Sequence, residues 1–446
     1  MKPTDVRIAD VSFAYEDHRY RTPIKFGGVA LDKVTVLNVR VAVESRGGTV
    51  THGFGSMPLG NVWAWPSKDL GYDQTLAGMK VIATACGTVY AADNTYGHPV
   101  EIGVRCEHAV ASAVTLAVPH LKVPPLAVLV VNSAFDAAVH DAFGKSLGLN
   151  CYRTYGPEFL GPDLGAFLGR PFAGETLDQY VLTEPKPRMP LYHLVGALDP
   201  LTPADVAKPV GDGLPETLGE WIVRDGLTHL KIKLNGDDLA WDVARVVGVD
   251  AVAEDTQRQR GVAAWFYSLD FNEKCANVGY LVEFLTRVRE QIPAGYDRIQ
   301  YIEQPTKRDL TADRANVMHA AAKLRPVVID ESLLDLDSLH AAVEMGYTGV
   351  AFKACKGQTQ TLLLAAAAQK MGLFRCVQDL TCPGASLIHS AGIAAHIPGV
   401  AAIESNARQY CPAANAAWAE KFPGVFGIRD GTMNTGILCG PALGAV

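Results

Sequence analysis

Tyr267-Ser268-Leu269-Asp270, Tyr301-Ile302-Glu303 and Val327-Val328-Ile329-Asp330 share one form, a short apolar or β-branched run that stops on a carboxylate. Such runs predict buried strands. The three acids lie 33 and 27 residues apart, about one strand-helix-strand unit each. Parallel strands that end on acids at this interval bring them to one face of a barrel, the face where barrels carry their chemistry. Three oxygen ligands without Cys or His suit a hard cation, Mg²⁺ with Mn²⁺ as the alternative. Without a cation, three carboxylates at one mouth would repel each other. A single acid in such a place is as well explained as a helix N-cap; three at repeating-unit spacing are better explained by convergence.

Lysines stand at matching places. Thr228-His229-Leu230-Lys231-Ile232-Lys233-Leu234 alternates as a strand does, so Lys231 and Lys233 share a side, the barrel interior if Leu230, Ile232 and Leu234 pack on helices. Gly349-Val350-Ala351-Phe352-Lys353-Ala354-Cys355-Lys356 is a second such segment. A lysine is rarely buried unless paired, and desolvation with neighbouring positive charge would lower its pKa towards that of a base. Lys356 is expected to be a solvated charge at a strand end. Lys233 and Lys353, beside the acids, are expected to have a role.

Beyond Leu191 strands and helices alternate. Strands are expected at 191–197, 229–235, 264–270, 299–303, 326–330, 349–354, 374–379 and 400–404, with helices such as 239–253, 278–290, 313–322, 336–345 and 359–371 between them. This predicts an α/β barrel, a (β/α)7-8 TIM-like barrel, over residues 191–409. Residues 1–130 read as strands followed by helices, an N-terminal α+β capping domain. Val6–Phe13 and Val34–Val43 alternate as antiparallel strands, and Arg46-Gly47-Gly48 turns into Thr49-Val50-Thr51 as a hairpin would. Residues 131–190 form a linking helix and connection, and the tail 410–446 packs back on the capping domain.

The ordered series Lys231-Ile232-Lys233, Asp270 with Asn272, Glu303-Gln304-Pro305, Asp330-Glu331-Ser332 and Lys353 resembles the enolase superfamily, and within it the muconate lactonizing enzyme subgroup. The segment from Asn132 through Asp141 and Gly144 to Gly148 is similar to the family helix joining capping domain to barrel. Gly440–Gly444 is similar to the closing peptide. The mandelate racemase subgroup carries a histidine at the end of strand seven; Val377-Gln378-Asp379-Leu380 has none there. The resemblance implies a metal held by Asp270, Glu303 and Asp330, with Asn272 and Glu331 behind them. The third ligand is Asp330 or the adjacent Glu331; strand alternation puts Asp330 on the face of Val328 and turns Glu331 away.

The resemblance also implies the reaction. Mg²⁺ would stabilise the enediolate formed when a proton α to a carboxylate is removed. Lys233 and Lys353 would act as acid and base from opposite faces, with Lys231 charged beside the substrate carboxylate and helping to keep Lys233 neutral. The outcome is an isomerase, racemase/epimerase or cycloisomerase, of a small carboxylic acid. The alternatives are a dehydratase (lyase) of a hydroxylated or sugar acid and a catalytically retired barrel with a binding role. In this family two capping segments close over the mouth: the cationic loop Asp17–Gly28, with Arg21, Lys25 and a flexible glycine end at Gly27-Gly28, and the glycine-hinged loop Gly53–Pro66, with Trp63. Arg21, Lys25, Trp63, Asp379, Glu404 and Asn406 are the candidate substrate contacts.

Apolar content of 48% and 446 residues suit two packed domains. A net charge of −7 and no basic face argue against nucleic acid. The nine cysteines lack a CxxC pair, and Cys86, Cys355, Cys376 and Cys439 lie in apolar runs. Buried thiols in a reducing, cytoplasmic compartment are expected. No signal-peptide core or apolar 18-residue stretch is read, so no membrane partner is expected. The expected partners are a small carboxylic acid and further copies of the chain in a homo-oligomer.

Overall fold

The computed structural model describes residues 1–26 and 29–444. The expected flexible end at Gly27-Gly28, and the last two residues of the tail, lie outside the described residues. The chain begins with a three-stranded antiparallel sheet of β1 (Val6–Phe26), β2 (Val29–Ser45) and β3 (Val50–Pro58). Alternation in β2 puts Val39, Val41 and Val43 on the buried face. The turn after Ser45 is closed by the Ser45 and Thr49 backbones, with Gly48 at φ +84°, the conformation glycine adopts without steric cost. Three long helices follow the short α1 (Asn61–Ala64): α2 (Tyr72–Ala92), α3 (Pro99–Ala117) and α4 (Pro125–Leu147).

Both segments expected to be loops are regular structure. Asp17–Lys25 is the outer half of β1; it pairs with β2 through Arg19 and again from Ile24, with a register irregularity between them. Gly53 and Gly55 lie within β3 and are contact surfaces rather than hinges. A Cβ at Gly53 would stand 2.1 Å from the Ala138 carbonyl oxygen, and one at Gly55 would stand 1.9 Å from that of Ala134. The missing side chains let α4 lie directly on the strand. By length and composition α2 and α4 could each cross a membrane, contrary to the expectation of no such apolar stretch; the window in α4 is wholly buried within the protein.

Eight parallel strands form the barrel: β4 (Arg188–Val195), β5 (His229–Lys233), β6 (Phe266–Asp270), β7 (Ile299–Glu303), β8 (Val327–Ile329), β9 (Gly349–Phe352), β10 (Phe374–Val377) and β11 (Val400–Glu404). Pairing of β11 with β4 closes it, and β12 (Thr432–Asn434), which was not anticipated, lies antiparallel on β4. Helices alternate with the strands as expected, save one. Of the helix expected over 313–322 only His319–Ala322 forms. Upstream, the Asp309 carboxylate takes the Thr311 and Ala312 amides, and Asn316 takes that of Val278. Such side chains offer the backbone partners outside a helix. The tail bonds to the segment after α4: the Ala442 N–H donates to the Leu149 carbonyl and the Cys151 N–H to that of Ala442. Cys439, expected to be buried, is exposed.

The helix Ala385–His396 is buried along its whole length and carries His389, neither of whose ring nitrogens finds a partner. Burial lowers the His389 pKa to about 4, so between about pH 4 and 6.5 the unfolded chain binds a proton there that the folded one does not. Its contribution to stability is therefore lost as pH falls through that window. Urea unfolding of His389→Leu at pH 7 and 4.5 should show a pH-dependent loss smaller than wild type by roughly 2 kcal/mol. Parallel profiles for the two proteins would refute a neutral buried imidazole.

Candidate active site

The barrel interior is built in layers by the two-residue period of its strands. Tyr192, Tyr301, Val328, Ala351, Cys376 and Ala402 pack together as an apolar floor. Two residues further along five of those strands stand Glu303, Asp330, Lys353, Gln378 and Glu404, so the same alternation lifts each above the floor. Ladder register brings Lys233 beside Asp270 and Asp270 beside Glu303. The lysines and acids taken from the sequence do meet at one mouth.

Lys231 is the centre of the layer. Its ammonium lies 2.7 Å from Glu303 Oε1, 2.9 Å from Gln378 Oε1, 3.0 Å from Glu404 Oε2 and 3.1 Å from Asp270 Oδ2. Lys233 donates to the same Asp270 oxygen. Across the mouth Lys353 lies 2.8 Å from Asp330 Oδ2. Lys356 is not solvated as expected: it is buried, 3.2 Å from Asp330 Oδ1, and also donates to the Asp330 carbonyl. A single turn of 3-10 helix over Ala354–Lys356 brings it back to the side of Lys353. The three-residue spacing was the overlooked signal, because side chains at i and i+3 eclipse in that helix.

Burial opposes the charge on Lys231, but Glu303, Glu404 and Asp270 outweigh it and raise its pKa well above the ordinary value. Lys353 is raised likewise by Asp330. The expectation that desolvation and like charge would lower Lys353 is thus reversed, because burial and Lys231 are outweighed by the Asp330 charge together with Glu331 and Glu303. Burial also works against Asp270 and Asp330, yet their lysines hold both below the usual carboxylate range. Glu303 goes the other way, pushed well up by burial despite Lys231. Burial and the Asp330 charge raise Glu331 to about 8, and burial raises Asp379 to about 6.

Four buried lysines thus face six buried carboxyls: Asp270, Glu303, Asp330, Glu331, Asp379 and Glu404. Glu303 Oε2 is buried with no partner among the described residues. An all-oxygen donor set with a shortfall of positive charge and an unused carboxylate oxygen fits a divalent hard cation. Among the described residues the acids are not already gathered as a ready-made metal cluster; lysines stand against all three. Asn272 contributes its backbone, whose N–H donates to Asp270 Oδ1 at 2.9 Å in a left-handed turn of φ +47°.

The roof comes from the N-terminal sheet and α1. The Trp63 ring lies 4.1 Å from the Lys353 ammonium, and its Nε1 donates to Glu331 Oε1 at 2.8 Å. Glu331 therefore turns away from Asp330 to the roof, as alternation requires. The outer half of the β1–β2 hairpin packs Tyr20, Ile24 and Leu31 on Leu194 and Tyr410, and Leu194 pairs in register with Lys231. Of the other expected substrate contacts, Arg21, Asp379, Glu404 and Asn406 have protein partners. Arg21 does not point to the acids: its guanidinium is taken by Asp212, at 2.9 Å from Oδ1, and by the Leu214 carbonyl. Lys25 is half-buried near the hairpin tip. Asp379 takes the Leu380, Cys382 and Asn406 amides, and the Asn406 side chain donates to Glu404 at 2.7 Å. Asp379 and Asn406 thus tie two loops together, and Glu404 serves Lys231.

A family described as enolase C-terminal domain-like matches residues 214–441. No curated protein matches the chain. Its fold is similar to that of a muconate lactonizing enzyme from Pseudomonas fluorescens complexed with muconolactone, at TM-score 0.65 and 16% identity over 99% of this chain and 96% of that one. A dipeptide epimerase from Enterococcus faecalis V583 complexed with Mg and L-Leu-L-Tyr superposes at 0.60 and 16% identity over 90% and 91%. An enolase from Bradyrhizobium complexed with magnesium and mandelic acid does so at 0.62 and 17% identity over 99% and 96%. At these identities the likeness shows the fold.

Lys356→Met removes a buried cation from Asp330 and leaves Lys353 as its remaining ammonium partner. The loss in unfolding free energy should be about 1.5–3 kcal/mol, the range for a buried bond to a charged group. Lys68→Met at an exposed position should stay within about 0.5 kcal/mol of wild type. Equal urea midpoints for the two variants would return Lys356 to the solvated role first expected.

Proposed function

The chain belongs to the enolase superfamily, and on that premise we propose that it removes a proton α to the carboxylate of a small organic acid. The reaction passes through an enediolate and ends in isomerisation: racemisation, epimerisation or cycloisomerisation. The observation that carries this reading is the order of groups around the mouth: Lys233 on Asp270, Glu303 with a free oxygen, Lys353 on Asp330.

Asp270, Glu303 and Asp330 are the residues that would hold Mg²⁺, which when bound supplies positive charge for the substrate carboxylate and the developing enediolate. Lys231, fixed by four acceptors, adds a charge that does not move. Lys233 and Lys353 take and return the α-proton from opposite faces, each a general acid or base by turns. Gln378, where a histidine base would otherwise stand, is engaged by Lys231 and Tyr301, which supports the two-lysine arrangement. Trp63 and the hairpin exclude water and strengthen every charge interaction below them.

With Arg21 held by Asp212 and the roof formed by Tyr20, Ile24 and Leu31, support shifts from a hydroxylated acid to one with an apolar distal part. The names of similar structures, muconate lactonizing enzymes and dipeptide epimerases, favour isomerisation over dehydration. A retired barrel would be expected to lack a ligand or a base, and all five groups are present.

Proton NMR in D₂O with N-acyl amino acids, dipeptides, lactones and acid sugars should reveal α-proton exchange. Lys233→Ala and Lys353→Ala should each lower turnover by about 10²–10⁴-fold, while each still exchanges the proton of one enantiomer. Near-normal turnover of both enantiomers by Lys353→Ala would end the two-base reading. Glu303→Gln should abolish exchange with the fold intact, and wild-type activity that survives exhaustive chelation would exclude the metal.

A further inference from the structure

The segment that carries Lys353 and Lys356 is anchored from outside the barrel. After Lys356 the chain turns through Gly357, at φ +99°, into the helix Gln358–Lys370. Its N-cap is that glycine, which has no side chain to accept the first N–H groups. Asp136, in the middle of α4, supplies the acceptor. Its Oδ2 takes the Thr359 N–H at 2.8 Å, and its Oδ1 takes the Thr359 hydroxyl at 2.7 Å.

The junction is closed on every side. His140, one turn along α4, brings Nε2 to 2.9 Å from the Thr359 hydroxyl and Nδ1 to 3.0 Å from the Tyr155 hydroxyl. On α3, a Cβ at Gly103 would stand 2.4 Å from Thr359 Oγ1 and 2.6 Å from Asp136 Oδ1, so only glycine lets the three elements meet. The loop then returns to the active site, because the Thr361 hydroxyl donates to the Lys353 carbonyl at 3.1 Å. Burial lowers His140 to about 3, leaving a neutral imidazole beside the carboxyl.

We propose that Asp136 is a positioning residue for Lys353: as the cap lent by α4 to the helix Gln358–Lys370, it holds residues 353–361 so that both lysines lie on Asp330. A carboxylate at a helix N-terminus gains from the oriented N–H dipoles as well as from the bonds themselves. A displacement of about 1 Å at a reacting group costs about 100-fold in rate, so a cap placed outside the barrel governs the base inside it. The catalytic consequence rests on the two-lysine reading above; the clamp does not.

The test uses the intact chain with Asp136→Asn, Asp136→Ala and Thr359→Val. Hydrogen exchange by mass spectrometry should show peptides covering 353–361 losing about tenfold or more in protection in Asp136→Asn, with the strands ending at Asp270 and Glu303 unchanged. α-Proton exchange in D₂O with Mg²⁺ is followed on both enantiomers of mandelate and on L-Leu-L-Tyr and its epimers. On a probe that wild type accepts, kcat for one stereoisomer should fall about 100-fold at unchanged KM, and the other should keep its wild-type rate. Unchanged protection at 353–361, protection lost evenly over the barrel, or equal slowing of both stereoisomers would each overturn the proposal. If Asp136→Ala does not fold, the isosteric Asp136→Asn and Thr359→Val carry the measurement. If wild type exchanges none of these probes, the α-proton reading fails for those acids, and hydrogen exchange still decides the clamp.

Discussion

Four lysines buried at the mouth of the barrel each stand against a carboxylate. Taking an ion out of water costs several kcal/mol even after the protein relaxes, and Lys231 meets that cost with three carboxylates and an amide oxygen. The requirement propagates downward and upward. Below, an apolar floor leaves the lysines no solvent to escape to. Above, Trp63 lays its ring against Lys353 and its indole N–H against Glu331, so the roof is part of the same electrostatic arrangement. Acids outnumber lysines in this layer, and Glu303, Glu331 and Asp379 are pushed upward in pKa, each chiefly by burial. The Glu303 oxygen left unpartnered among the described residues of this acid-rich layer is what the proposed cation would bind.

The N-terminal domain is joined to the barrel too closely to be a loose cover. Helix α4 lies on β3 where Gly53 and Gly55 remove any side chain between them, and Asp141 takes amides from Phe54 in β3 and Leu443 in the tail. The same helix carries Asp136 to the segment behind Lys353. One buried helix therefore touches the roof strand, the closing peptide and the segment that carries Lys353. Its sequence mixes small apolar residues with a few acids because each acid must satisfy backbone groups of a different neighbour.

Much of this was legible in the residues. Period-two alternation put Lys231 and Lys233 on one side, and strand ends at repeating-unit intervals brought Asp270, Glu303 and Asp330 to one face. Six barrel strands were anticipated to within three residues at each end, and β7 and β11 agree at both. Where the reading failed, the failure was local. Asp17–Lys25 looked like a cationic loop because its charges interrupt the alternation, yet pairing with β2 carries the strand through. The run from Asp313 looked compatible with a helix, yet Asn316 took the Val278 amide and only His319–Ala322 formed one.

The chain itself determined the fold class, the order of lysines and acids around the barrel and the face each occupies, because strand alternation and unit spacing depend only on local covalent geometry. It could not determine which ammonium answers which carboxylate. Arg21, Lys356 and Glu404 carry charges whose partners lie 191, 26 and 173 residues away in sequence, and only the closed barrel with its roof in place sets those distances. The direction of each pKa shift follows from them, since burial and charge act oppositely and their balance depends on tenths of a nanometre. Lys356 shows the difference most plainly. As a residue it is a strand-end lysine expected in water, and in the folded protein one turn of 3-10 helix delivers it to Asp330.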